Sequence, residues 1–191
     1  MITIGLTGGI GSGKTQVATL FRTYGIPVYV ADEESKRLTA TSPVLRRQLI
    51  ALLGDSIYDT NGLNRKQMAS LIFNDAKLLE QVNAIIHPAV TNHFLSWAQG
   101  QRAKEIVLES AILFESGFDR LMNRCVAVYA PQALRIQRVM ARDGVTEADV
   151  RRRIENQWPD EVKKERADYE IFNDGIQALI PQVEKFIAQL P

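Results

Sequence analysis

The chain has 191 residues, 46% of them hydrophobic and 24% charged, and a formal net charge of +1 at neutral pH. This size and balance fit one globular core with room for a subdomain, and exclude collagenous, low-complexity or disordered chains. No stretch approaches the ~18 apolar residues that span a bilayer, the near-zero charge offers no global field to nucleic acid, and the lone cysteine, Cys125, allows no internal disulfide.

The chain opens on Ile2-Thr3-Ile4-Gly5-Leu6, a β-rich run lacking the basic segment and cleavage site of an export signal, so a cytoplasmic protein is expected. Next comes Gly8-Gly9-Ile10-Gly11-Ser12-Gly13-Lys14-Thr15, the phosphate-loop pattern with glycine first and Gly-Lys-Thr last. Gln16-Val17-Ala18-Thr19-Leu20-Phe21 then carries apolar residues at helical spacing, which places the loop between a strand and a helix. A loop of this kind cradles phosphate oxygens in successive backbone N–H groups and adds the positive end of the helix. Lys14 is expected at the β- and γ-phosphates of ATP, the Thr15 hydroxyl on Mg2+, and residues 8–16 around the nucleotide. The bland alternative is a tight glycine turn joining strand to helix; the agreement of the full pattern with its flanking elements favours the phosphate loop.

Further strands are expected at 27–31, 105–108, 125–129 and 169–172, short apolar runs separated by helical stretches. Such alternation reads as a parallel sheet covered on both faces, with ligands beyond the carboxyl ends of the strands. Asp32 follows the second run and is a candidate base for an acceptor hydroxyl; equally, it is positioned to cap the helix expected from Glu33. The segment from Asp32 to about Gln99 is almost continuously helical in pattern and reads as an inserted subdomain. Glu109 ends the third run, where an acid serves magnesium directly or through water. Glu115, six residues on, reads either as the partner of Glu109 or, as its spacing favours, as a solvated acid at a helix start.

Arg135, Arg138 and Arg142 stand at i, i+3 and i+7, so one helical face carries all three, either as a clamp for polyphosphate or as a solvated face. After Asp143-Gly144, Thr146-Glu147-Ala148-Asp149 resembles a capping box that restarts the helix, which Trp158-Pro159 ends. A charged helix at 160–167 leads into the last strand. This hairpin has the character of a lid that excludes water when it closes.

The chain resembles the dephospho-coenzyme A kinase family nearly end to end. The resemblance rests on residues 6–15, on Ala31-Asp32, on Ile86-His87-Pro88-Ala89-Val90, on Leu113-Phe114-Glu115, on 138–143, and on Ala167-Asp168 with Asn173. It implies an α/β fold of the P-loop NTPase type, with a five-stranded parallel sheet flanked by helices, an inserted helical acceptor-binding domain and a helical lid. The core comprises 1–31, 101–131 and 168–191, the acceptor domain 32–100 and the lid 132–167. The activity implied is ATP-dependent phosphorylation of the ribose 3′-hydroxyl of dephospho-coenzyme A, the last step of coenzyme A synthesis. By the same resemblance Asp32 is the base, Lys14, Arg138 and Arg142 serve the transferring group, Asn173 lies near adenine, and Arg65 and His87 belong to the acceptor domain. Arg135 stands where the family commonly has glutamine, and Val30 where it often has aspartate. By itself His87 reads as a histidine at a helix break before proline. A monomer without nucleic-acid or membrane partners is expected. Two other readings remain at this level: a P-loop kinase for a nucleoside monophosphate or a shikimate-like acceptor, and a small-GTPase-like switch, against which stands the absence of any Asn-Lys-x-Asp stretch.

Overall fold

Short apolar runs bounded by glycine and proline form the strands, and amphipathic stretches between them form the helices. The computed structural model describes residues 1–60, 62–72 and 75–191. In chain order the elements are β1 (Ile2–Thr7), α1 (Lys14–Thr23), β2 (Val28–Val30), α2 (Ala31–Thr41), α3 (Pro43–Leu53), β3 (Tyr58–Asp59), β4 (Gly62–Leu63), α4 (Arg65–Ile72), α5 (Ala76–Gln99), β5 (Glu105–Glu109), β6 (Arg124–Tyr129), α6 (Gln132–Asp143), α7 (Glu147–Glu155), α8 (Asp160–Arg166), β7 (Tyr169–Phe172) and α9 (Leu179–Ile187). The chain divides into two compact units, Met1–Val30 with Gln101–Pro191, and Ala31–Gly100.

In the first unit five strands form one parallel sheet in the order β2-β5-β1-β6-β7. The register pairs Leu6 with Glu109 and with Val126, Val30 with Glu109, and Tyr129 with Phe172, so the carboxyl ends of the strands make one edge. The runs are apolar throughout because both faces of a parallel sheet are covered. Ile4, Leu6, Val107, Val126, Val128 and Ile171 join Val17, Ala18 and Phe21 of α1 and Val183 and Phe186 of α9 in the main core. Phe21 meets Phe186 edge-on, with ring centroids 6.1 Å apart. β2 is shorter than the sequence suggests: Pro27 has no N–H for the ladder, although its carbonyl accepts from Val107 N at 2.9 Å, and Ala31 already begins α2.

The hairpin of α6 and α7 has its own small core of Ile136, Val139 and Val150, against which Ile10, Val145 and Ile154 pack. α6 ends at Gly144 in the left-handed region, and α7 starts at Thr146, whose side chain accepts from Asp149 N while Asp149 accepts in return. This is the capping box that the sequence pattern predicts.

In the second unit α5 is the spine. Its residues Val82, Ile86, Val90, Phe94 and Ala98 recur every fourth position and are buried, and α2, α3 and α4 pack on α5. α5 runs unbroken for 24 residues through Pro88, so the helix break expected at His87-Pro88 does not occur. Nor is the segment helical throughout, since Tyr58–Asp59 and Gly62–Leu63 pair as antiparallel strands. Residues 61, 73 and 74 of this segment lie outside the described residues. Among the described residues no helix is long and apolar enough to cross a membrane.

Truncating Phe21 to alanine removes a wholly buried ring from the contact between α1 and α9. Urea denaturation is expected to show a loss of about 3–5 kcal/mol; a loss under about 1 kcal/mol would mean that the site collapses around the gap.

Candidate active site

The phosphate loop leaves β1 at Thr7 and enters α1 at Lys14, with Gly13 at the N-cap in the left-handed region (φ 96°). A Cβ at Gly13 would lie 2.0 Å from Asn173 Nδ2, so close approach as well as backbone angle demands glycine there. Lys14 is buried, and its Nζ donates to the Gly8 carbonyl at 3.0 Å. Thr15 and Gln16 are exposed in the first turn of α1. A cavity of about 360 Å3 is lined by Gly11, Gly13, Lys14, Thr15 and Gln16 on the loop side, and by Arg138, Val139 and Arg142 of α6 on the other. Loop residues, a lysine, a threonine and two arginines therefore line one space, residue types suited to polyphosphate.

Asn173, one residue past β7, is the cross-link of this site. It is buried, its Nδ2 donates to Ser12 O at 2.9 Å and to Gln16 Oε1 at 3.1 Å, and its own N–H donates to Tyr129 O at 2.8 Å. Arg138 in turn donates to Asn173 O at 3.1 Å and to its Oδ1 at 3.3 Å. One amide side chain thus joins the loop, the sheet edge and α6.

The three arginines do not act as one face. Arg138 and Arg142 line the phosphate cavity, whereas Arg135 is 2% exposed, pairs with Asp160 and donates from Nε to Ile10 O at 3.0 Å. α6 crosses directly over Gly11, where a Cβ would lie 2.6 Å from Arg135 O, and this crossing separates Arg135 from the other two. Burial lowers the Arg135 pKa from its ordinary value. Arg142 is mostly exposed and grips Asp143 with both Nε (2.7 Å) and a terminal nitrogen (3.1 Å). Asp143 also accepts from Arg153 at 2.8 Å, and the hydrogen bond from Arg142, then that from Arg153, holds its carboxyl down at about 2.

Glu115 is not the solvated acid that its spacing suggests. Its Oε1 accepts from Trp158 N at 2.9 Å and from Lys163 Nζ at 2.8 Å, and Lys163, 1% exposed, also donates to Ala111 O at 2.7 Å. Gln157 Oε1 accepts the N–H of Ile10 at 2.9 Å. Gln157 and Lys163 thus fasten the α7–α8 junction to the core, and Asp160 ties it to α6. Sequence reading passed over them because their partners lie far away in the chain and no local pattern announces such ties.

Asp32, Arg65 and His87 belong to the second unit. Asp32 lies inside the first turn of α2, exposed, rather than before it as a cap. Arg65, also exposed, donates to Lys36 O at 2.9 Å and so ties α4 to α2 one turn beyond Asp32. His87 is half-buried on α5, and burial lowers its pKa. A group the sequence did not single out links α2 to α5: Arg37 bonds Glu34 at 2.7 Å and lies 2.7 Å from His93 Nε2. Glu109 is buried at the end of β5.

Gly13→Ala is expected to abolish MgATP binding measured by calorimetry while circular dichroism stays that of the folded chain, because the new methyl displaces Asn173. Binding at parental strength would show that the loop and Asn173 separate freely.

Comparisons with known proteins identify the family and the fold. Residues 2–178 match the family model described as dephospho-CoA kinase. A Bacteroides fragilis dephospho-CoA kinase is 45% identical over 190 residues, covering 99% of this chain and 93% of the relative. A crystallised Thermus thermophilus protein superposes with a TM-score of 0.89 at 32% identity, covering 100% of this chain and 98% of the other. The dephospho-CoA kinase of Campylobacter jejuni shares the fold at a TM-score of 0.69 and 22% identity, over 98% and 96% of the two chains. With a five-stranded parallel sheet, a phosphate loop and helices as its framework, the chain belongs to the dephospho-CoA kinase family.

Proposed function

We propose that the chain transfers the γ-phosphoryl group of ATP to the ribose 3′-hydroxyl of dephospho-coenzyme A, yielding coenzyme A and ADP. The observation that carries this reading is the 45% identity to a dephospho-CoA kinase across 99% of the chain. The P–O bond to ADP breaks, the ribose oxygen takes the phosphoryl group, and the hydroxyl proton passes to a carboxylate.

Mg2+ fits the donors present: the exposed Thr15 hydroxyl beside the cavity and the buried Glu109 carboxylate at the sheet edge. Among the described residues no group of three or more His, Cys, Asp or Glu is arranged to hold a metal. When bound, Mg2+ would supply positive charge against the polyphosphate.

Lys14 supplies a point charge at the β- and γ-phosphates, and the loop amides hold their oxygens. Arg138 and Arg142 serve the transferring group from α6, Arg142 by exchanging Asp143 for phosphate, and the helices at 132–167 act as the lid. Asp32 is the base: its chain position, two residues past Val30 at the carboxyl end of β2, is where an open α/β sheet places ligand-facing groups. Asn173 sits at the nucleotide side, and Arg65 and His87 serve the acceptor domain at 32–100.

The first test is ADP release with MgATP and dephospho-coenzyme A, beside AMP, CMP, shikimate and no acceptor. Turnover with dephospho-coenzyme A alone is expected, and another preferred acceptor would overturn the substrate while leaving the loop chemistry standing. Asp32→Asn is expected to keep ATP binding and lose about 10²-fold or more in turnover, the scale of a general base; unchanged turnover would remove Asp32 from that role.

A further inference from the structure

Arg135 is a buried cation that the reaction as described does not use. Its Nε donates to the carbonyl of Ile10 at 3.0 Å, and its terminal nitrogen pairs with Asp160. The carbonyl of Ile10 and the N–H of Gly11 belong to one planar peptide. Among the described residues no peptide bond is cis, so these two groups point in opposite directions. Arg135 therefore draws the carbonyl to one side and turns the Gly11 N–H to the other, and Gly11 lines the phosphate cavity whereas Arg135 lines a separate one of about 510 Å3. Within the described residues the Gly11 N–H donates to no protein group.

The same arrangement recurs two residues later, where Asn173 Nδ2 takes the Ser12 carbonyl at 2.9 Å and leaves the Gly13 N–H on the opposite side. Three further contacts hold Ile10 where Arg135 can act: Gln157 accepts its N–H, its side chain packs into the hairpin core, and Gly11 lies against the backbone of α6. A buried ion pair is costly to assemble and adds little net stability. Its geometry, however, is fixed, and a planar guanidinium can hold a carboxylate and a carbonyl in set directions at once, which a lysine cannot.

The geometry points to Arg135 as a positioning residue for nucleotide binding: with Asp160 as its fixed counterion, it sets the Ile10–Gly11 peptide so that the Gly11 N–H is presented to phosphate. This rests on the reading of residues 8–15 as the nucleotide loop. Arg135 touches no substrate; it acts through one peptide plane.

Labelling isoleucine with carbonyl 13C and glycine with 15N isolates amides that follow isoleucine, and the sequence contains two, Gly5 and Gly11. Gly5 lies within β1 and reports folding; Gly11 reports the loop. In the parent, MgADP is expected to move the Gly11 signal downfield and leave Gly5 in place. In the double variant Arg135→Gln with Asp160→Asn, which removes both charges together, the Gly11 response is expected to shrink and the MgADP Kd to rise about tenfold, the loss of one hydrogen bond to a charged group. A merely structural strut would lower the melting temperature and leave the Gly11 response intact.

The inference is overturned if MgADP binds the parent without moving Gly11. It is equally overturned if the double variant keeps the response with a Kd within about twofold of the parent. Should loss of the Gly5 signal show that the double variant is unfolded, Arg135→Lys takes its place; it keeps the charge beside Asp160 without the planar fork, and the same losses are expected. A parent that binds no MgADP would instead refute the nucleotide reading of the loop. Failure of dephospho-coenzyme A as acceptor, with MgADP still bound, would leave this inference untouched.

Discussion

The outward pull on two carbonyls, those of Ile10 and Ser12, is the constraint on which the site depends. A loop that grips phosphate must turn N–H groups inward, and in a trans peptide each inward N–H requires an outward carbonyl. Left to itself, that carbonyl would be an unsatisfied acceptor in a packed interior. Here Arg135 and Asn173 satisfy the two, one from α6 and one from just beyond β7. The sheet order serves the second of these contacts: with β1, β6 and β7 in succession, Asn173 bonds Tyr129 O through its own N–H and reaches Ser12 O with its side chain.

Buried charge sets the place of the α7–α8 junction. Arg135 with Asp160 and Lys163 with Glu115 are both removed from water, and such pairs give direction more than stability. Together with Gln157 on Ile10 and Glu115 on the Trp158 N–H, they anchor this end of the hairpin to the phosphate loop and to the segment after β5. The opposite corner, at Asp143 and Gly144, is held by exposed pairs between residues of the hairpin itself. The buried ionic ties are therefore concentrated at the α7–α8 end of the hairpin.

Much of this was legible in the chain because it is written locally. The loop pattern carries its own chemistry, the five apolar runs are each long enough to read, and Thr146 with Asp149 announces a helix start. What could not be read depends on where elements cross. Spacing puts Arg135, Arg138 and Arg142 on one helical face, but Gly11 lies under that face and divides it. Glu115 looks solvated until Lys163 and Trp158 arrive from the far side of the hairpin. Tyr58–Asp59 and Gly62–Leu63 are two residues each, too short for alternation to show. Pro88 reads as a break, yet the apolar stripe from Val82 to Ala98 packs across it and holds α5 together.

The Asp143 carboxylate, shared between Arg142 and Arg153, has a bearing on the response to salt. Because Arg142 is 62% exposed, its tie to Asp143 is a screened, low-cost contact rather than a lock. If Arg142 lets go, Arg153 still pairs with Asp143, so the carboxylate is not left without a counterion. Rising ionic strength therefore screens this exposed pair and loosens the tie that holds Arg142 against Asp143.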